Sequence, residues 1–250
     1  MSTLAHADEA LIHPDSKRRY NRDLFREVAP RYDLITRLLS FGRDSAWKRW
    51  MLRELPGRNP TAILDVACGT GDITRALHAR YPDAQVVGLD LTPEMLDLAR
   101  GLAPEGIEFL EADMNHTGRP DAGQDLITGG YALRNAPDIS GALIEFHRML
   151  RPGGQLALLD FSVPRNPLLR RVHYSLLLFW GGLWGLLLHG DPRVYAYIAR
   201  SLAHFPDRES LHATLQENHL PVRSHKRFML GMIEVLICER VGAALRDGQQ

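Results

Sequence analysis

Between Ala62 and Arg80 the chain reads as a short apolar strand, AILDVA, then Cys68-Gly69-Thr70-Gly71, then a segment with helical periodicity. This junction constrains the fold more than any other feature. Two glycines one residue apart let the backbone turn tightly and let a ligand approach with no Cβ in the way. Such a turn at the carboxyl end of a strand is where open α/β sheets bind their ligands. A Gly-x-Gly alone is weak evidence, and a dinucleotide-binding turn is its natural rival. Here the third glycine of that fingerprint is missing, because Thr74 stands three residues after Gly71. Asp65, which opens the turn, would repel a pyrophosphate and suits a cationic amino acid bearing a sulfonium.

The same alternation continues downstream. Gln85–Asp90 reads as a second strand, and Thr92 (N-cap) with Pro93 at the first helical position opens its helix. Residues 107–110 and 125–128 read as the third and fourth strands. The helix over residues 138–150 ends at Pro152-Gly153-Gly154, and residues 155–161 follow as a strand. Strands and helices in alternation give an α/β chain with a mostly parallel sheet and helices on both faces. Residues 164–205 break the rhythm with apolar helical sequence. It resumes with a helix over 208–218 and strands near 222–228 and 233–240. Upstream, 21–55 has apolar residues at helical spacing, while the first 20 residues look like a loose tail. The division expected is a tail over 1–20 and one domain over 21–250. Within the domain, 21–57 is a helical cap and 164–205 is a helical insertion over the substrate.

The acids at the strand ends fall in register with the glycine turn. Asp90, with Leu91 beside it, closes the second strand about 20 residues on, where a carboxylate can accept both hydroxyl hydrogens of a ribose. Asp113 follows the third strand and can accept from an adenine amino group, with Met114 packing on the ring. Each acid alone is more often a surface charge; together they point to a nucleoside site. Cys68 and Cys238 form no metal or disulfide pattern, so no metal is expected and a reducing, cytoplasmic compartment fits. Asp8, Glu9 and Asp15 leave no apolar secretory core near the N-terminus.

Taken in order, Val28-Ala29-Pro30-Arg31-Tyr32-Asp33, Leu39-Ser40-Phe41-Gly42, Trp47-Lys48-Arg49, Leu64–Asp72, Ala132-Leu133-Arg134-Asn135, Met149–Gly154, Leu159–Ser162 and Phe205-Pro206-Asp207 resemble the ubiquinone/menaquinone biosynthesis C-methyltransferase family. That family lies within the class I methyltransferases, which use S-adenosylmethionine (SAM). The resemblance runs from about Val28 to Leu220. It implies a Rossmann-like, seven-stranded sheet and methylation of a ring carbon of a polyprenylated quinol. It implies SAM contacts at Thr70, Asp90, Asp113, Met114 and Gly130, beside Asp65, Gly69, Gly71 and Leu91 of the turn and second strand. It also implies substrate-facing roles for Arg134 and Asn135, with Tyr32 covering the donor. The chain departs from the family where Gly130-Tyr131-Ala132 replaces the common Ser-Phe-Gly, and again at Gly231–Val235 and in the Leu- and Trp-rich 165–191. These departures touch the acceptor side, so another small aromatic metabolite stands as the alternative acceptor and a non-catalytic donor-binding scaffold as the alternative role.

Arg134 is too weak a base to take a proton. Its expected role is to stabilise the phenolate, with water, a carboxylate or a histidine accepting the proton. From Lys17 to Arg53 eleven Lys and Arg face four Asp and Glu, while from Glu54 to Leu150 seven face fifteen. The basic segment fits a solvated face or an anionic membrane surface; no nucleic acid partner is expected. The apolar run Leu176–Leu188 covers 13 residues, too few to span a bilayer. It fits a core helix, a lid over an isoprenoid tail, or a surface element dipping into a membrane. A homo-oligomer is compatible with the sequence, which is silent on the point.

Overall fold

The computed structural model describes residues 13–55 and 59–242. Three helices come first: α1 (Pro14–Val28), α2 (Tyr32–Leu39) and α3 (Asp44–Glu54). Helix α1 corrects the expected tail, because it starts at Pro14 rather than at Asn21. Pro14 pre-sets the first turn, and Tyr20, Leu24 and Val28 bury one stripe of the helix. Residues 1–12 of the expected tail lie outside the described residues.

The alternating core follows: β1 (Ala62–Val66), α4 (Asp72–Arg80), β2 (Gln85–Asp90), α5 (Pro93–Leu102), β3 (Ile107–Glu111), β4 (Gln124–Gly130), α6 (Ile139–Met149) and β5 (Leu150–Phe161). Strand β5 starts at Leu150, so it runs through Pro152-Gly153-Gly154 where a break was expected. The ladder with β4 is interrupted there: Gln124 pairs with Leu150 and Leu126 with Gln155, so residues 151–154 bulge from it. Two long helices form the insertion, α7 (Pro167–His189) and α8 (Arg193–Ala203), before α9 (Arg208–Glu217), β6 (Val222–Phe228) and β7 (Ile233–Glu239).

The sheet order is β3-β2-β1-β4-β5-β7-β6. Strands β1 to β5 pair in parallel, and β7 is antiparallel to both β5 and β6. The order reverses between β1 and β4, and ligands bind beyond the carboxyl ends of strands at such a point. Alternate strand residues serve opposite faces. Ile63, Val86 and Leu126 pack with Trp47 and Met51 of α3 and Leu77 of α4, while Leu64, Val87 and Ile127 pack with Leu143, Phe146 and Met149 of α6. A third cluster joins α1, α2, α5 and α8 through Leu24, Ile35, Met95, Val194 and Tyr197. It roofs the carboxyl end of the sheet, and the two ligand cavities lie beneath it.

Helix α7 corrects another expectation. Its 23 residues are long and apolar enough, by length and composition, to cross a bilayer, because helical flanks extend the apolar run at both ends. Asn166 caps its start, accepting from the Leu168 and Leu169 amides, and Gly190 ends it in the left-handed region (φ 70°). One face packs against α8 at very close range: a Cβ on Gly181 or Gly185 would stand 2.7 Å from the Tyr195 carbonyl oxygen or 2.6 Å from that of Asp191. The other face is open. Leu168, Val172, Leu176, Phe179, Leu186 and Leu187 are all exposed, so the helix is not a core element.

Candidate active site

Two cavities meet at the switch point. The first, of about 640 Å³, is lined by Gly69, Asp90, Leu91, Ala112, Asp113, Met114 and Gly130 at the strand ends, with Asn21 and Arg22 of α1 above. The second, of about 940 Å³ including its mouth, is bounded by α1, α2, α7, α8 and the 229–233 turn, and includes Arg134 and Phe161. Phe25, Tyr32, Tyr131 and Asn135 line both.

The first cavity has a rigid frame. The Asp90 carboxylate accepts from the Gly69 amide (2.9 Å) with one oxygen and from the Thr92 amide (2.9 Å) with the other. It thereby ties the glycine turn to the start of α5. Burial pushes its pKa up, against those amide bonds, which favour the charged form. Asp90 lines this cavity, and a carboxylate there can accept from both hydroxyls of a ribose diol. Asp113 accepts from Arg18 of α1 through Oδ2 and from the Asn115 amide through Oδ1.

Asp65, Thr70 and Gly71 do not line this cavity. Asp65 is fully buried beneath the turn, where the hydroxyls of Thr74 and Thr128 donate to its two oxygens at 2.6 Å each. It clamps α4 to β4, and burial pushes its carboxyl up to about 7. The sequence placed it correctly at the turn but could not show that its side chain points inward. The Thr70 hydroxyl donates to Asp33 at 2.7 Å, tying the turn to α2. Gly71 is the left-handed N-cap of α4 (φ 77°), and a Cβ there would stand 3.1 Å from Phe109. Of the turn residues expected to face the donor, Gly69 lines the first cavity.

Arg134 sits on a single 3-10 turn, Leu133–Asn135, directly after β4. Its amide donates to Asp160 at 3.1 Å and its Nη1 donates to Ser201 of α8 at 2.6 Å. The guanidinium lies between the rings of Phe161 (5.3 Å) and Tyr197 (5.4 Å). Its buried Nε has no partner among the described residues, and the side chain lines the second cavity; an unpaired buried donor of this kind calls for an explanation, of which a ligand oxygen is one. Asn135 donates to the Tyr131 carbonyl, and its Oδ1 lies 2.8 Å from the Tyr197 hydroxyl, which also donates to Asn21 (2.6 Å). Tyr32, between the cavities, is raised to about 12 by burial. Burial, and then Arg134, lower the Lys17 ammonium to about 8, but Lys17 lines neither cavity.

Several of these residues carry no local signal in the sequence. Asn21, Tyr197 and Ser201 come from distant helices, and only the packing of those helices over the sheet brings them to the site. Tyr131 did carry a signal, since it falls within the departure before Leu133-Arg134-Asn135. Among the described residues, no group of three or more His, Cys, Asp or Glu is placed to hold a metal ion.

With this geometry in place, the comparisons decide the family. The model of the ubiE/COQ5 methyltransferase family matches residues 13–239. The chain belongs to that family. It is 41% identical over 207 residues to the demethylmenaquinone methyltransferase of Thermus thermophilus, across 80% of this chain and 92% of the relative. It is 32% identical to the ubiquinone/menaquinone biosynthesis C-methyltransferase UbiE of Desulfotalea psychrophila, across 85% and 87% of the two chains. Among solved structures it resembles the methyltransferase in a complex with the Haloferax volcanii Trm112 activator, with a TM-score of 0.67 and 16% identity over 89% of this chain and 98% of the other. That likeness is one of fold. The ubiE/COQ5 chain described here is a SAM-dependent methyltransferase of class I architecture.

Proposed function

We propose that this family member methylates a ring carbon of a polyprenylated quinol at the cytoplasmic surface of a membrane. The observation that carries the reading is the junction itself: a nucleoside-sized cleft carrying Asp90 and Asp113 and a larger apolar cavity share one wall, and Arg134 stands on the side of the larger one. The names of the Thermus and Desulfotalea relatives point to the same acceptor class.

In this reading Asp90 holds the ribose, while Asp113 and Met114 hold the adenine. Gly69, Leu91 and Gly130 form the floor against which the donor lies. SAM supplies an electrophilic methyl group, and the sulfur keeps the bonding pair. What the protein contributes is proximity and a dry pocket. Phe25, Val28, Ile35, Leu39 and Trp47 exclude water from the acceptor ring. Arg134, held by Ser201 and the two aromatic rings, has its free Nε to stabilise the negative charge that develops on the acceptor oxygen.

The membrane contact rests on α7. Its open stripe of Leu168, Val172, Leu176 and Phe179 begins beside Arg170 and Arg171, the charge pattern of a helix lying at an anionic interface. Its opposite face reaches the acceptor cavity through Leu177 and Gly181. An isoprenoid tail can therefore pass from the bilayer into the cavity alongside this helix. Incubation with methyl-labelled SAM and a panel of demethylated quinols tests the reaction, with label expected on a ring carbon. Transfer only to soluble aromatic acceptors would replace the quinol reading.

A further inference from the structure

Each methyl transferred from a sulfonium leaves one proton to be disposed of, because the donor arrives as a cation and departs neutral. If the acceptor is a quinol, as proposed above, the proton starts on a hydroxyl inside the apolar cavity. No carboxylate and no imidazole lines that cavity among the described residues. Two phenols, Tyr32 and Tyr131, line both cavities. Of the two, Tyr131 has its hydroxyl on a carboxylate, donating to Asp44 Oδ1 at 2.7 Å.

From Asp44 the polar contacts lead outward. Asp44 Oδ2 pairs with Lys48 Nζ at 2.6 Å, and Lys48 Nζ pairs with the half-exposed Asp72 at 2.6 Å. Asp44, Lys48 and Asp72 line a separate groove open to solvent on the other side of α2. Two carboxylates against one ammonium leave this cluster with one negative charge in excess. Besides Asp44, the charges of Tyr32 and Asp160 bear on the Tyr131 hydroxyl, and Lys48 lies 5.8 Å from the ring centroid.

The backbone at Tyr131 is also unusual. It lies in the left-handed region (φ 57°), uncommon for an aromatic residue. It is held there by its backbone N–H, which donates to the Leu159 carbonyl (2.6 Å), and by packing on Phe161. A strained residue held by its surroundings at a site is a pointer to function. The family resemblance gives Phe as the common residue here, so the hydroxyl is a feature this chain adds.

We infer that Tyr131 and Asp44 form a proton relay from the junction of the two cavities to the solvent groove. In the step, the acceptor O–H bond breaks and its proton binds Tyr131 Oη, while the proton already on Tyr131 passes to Asp44 Oδ1. The O–H pair remains on the acceptor oxygen and feeds the ring carbon as the new C–C bond forms. As the methylated ring becomes aromatic again its C–H proton moves to the ring oxygen, so one proton leaves in all, the original hydroxyl proton, from Asp44 to water in the groove. Tyr131 touches the acceptor and is the catalytic residue; Asp44 acts through it.

The test compares wild-type enzyme with Tyr131→Phe and Asp44→Asn, using methyl-labelled SAM and a demethylated quinol. Phe fits the family pattern at 131, so Tyr131→Phe should fold. The expected result for Tyr131→Phe is a fall in kcat of about 10²-fold, the low end for a positioned proton acceptor. SAM affinity and the quinol KM should stay within about twofold, and the solvent deuterium isotope effect on kcat should change. The double variant should be no slower than Tyr131→Phe alone, because the two groups serve one path. Unchanged kcat in Tyr131→Phe, or a loss matched by weaker SAM binding, would overturn the relay. Wild-type enzyme that methylates no quinol would instead overturn the functional reading, and the relay with it.

Discussion

The two cavities are built from different material. The donor cleft is made of strand ends: Gly69 and Asp90 follow one another around the β1–β2 edge, Asp113 and Met114 follow β3, and Gly130 ends β4. Its polar atoms are fixed by backbone bonds, as when Asp90 takes the Gly69 and Thr92 amides. The acceptor cavity is made of helix faces from α1, α2, α7 and α8, closed by side chains reaching across long sequence separations, such as Arg134 to Ser201 and Tyr197 to Asn21. A strand-end site is set by a few adjacent residues and tolerates change elsewhere. A helix-packed site can change its lining without touching the donor, and the departure at 165–191 falls on that side through Leu177 and Gly181, while the one at 130–132 lies where the two cavities meet.

If this division holds, substitutions on the two sides should separate binding from turnover. Arg134→Ala should produce the largest effect, a fall in kcat of about 10²- to 10³-fold, with SAM affinity by calorimetry unchanged. Arg134→Lys should not restore the rate, since a point charge lacks the planar donor set. Loss of SAM binding in Arg134→Ala would break the comparison. On the donor side, Asp90→Ala should weaken SAM by about 10- to 100-fold, because it removes the ribose acceptor and strands the Gly69 and Thr92 amides.

Asp65 sharpens the distinction between lining a site and supporting it. Its carboxyl is held up at about 7 by burial, above the unfolded value of about 3.9. Between those values the folded chain keeps a proton that the unfolded chain has released. Its contribution therefore makes stability fall as pH rises through about 4 to 7. Asp65→Asn should flatten that part of the Tm–pH curve and leave SAM affinity within about twofold. A large loss of affinity in that variant would return Asp65 to the donor contacts. The smallest effect on folding belongs to the open face of α7: Phe179→Ser with Leu187→Ser should change stability by no more than about 0.5 kcal/mol per site. The same pair should lower co-sedimentation with anionic liposomes, and unchanged sedimentation would remove the membrane contact.

The sequence made the strand-end half of the molecule legible. The glycine turn, the strand-end acids and the alternation of elements follow local rules, and β1, β2 and β3 stand where apolar runs placed them. Local rules say less about where a side chain points. Asp65 and Thr70 sit at the expected turn, yet one faces the α4–β4 interface and the other faces Asp33. Helix α1 was hidden because Asp15, Lys17, Arg18 and Arg19 dominate its first turns, and its apolar stripe gains meaning only against α5 and α8. Likewise, the Leu-rich run looked too short to span a bilayer because Arg170, Arg171, His173 and Tyr174 separate it from Leu168, Leu169 and Val172, which belong to the same 23-residue helix.

The measurement that tests the account most directly is transfer of labelled methyl from SAM to a demethylated, prenylated quinol, with the product mapped by mass spectrometry. Label is expected on a ring carbon, with the rate collapsing in Arg134→Ala while SAM still binds. Label on oxygen, or on no quinol while SAM binds tightly, would contradict it.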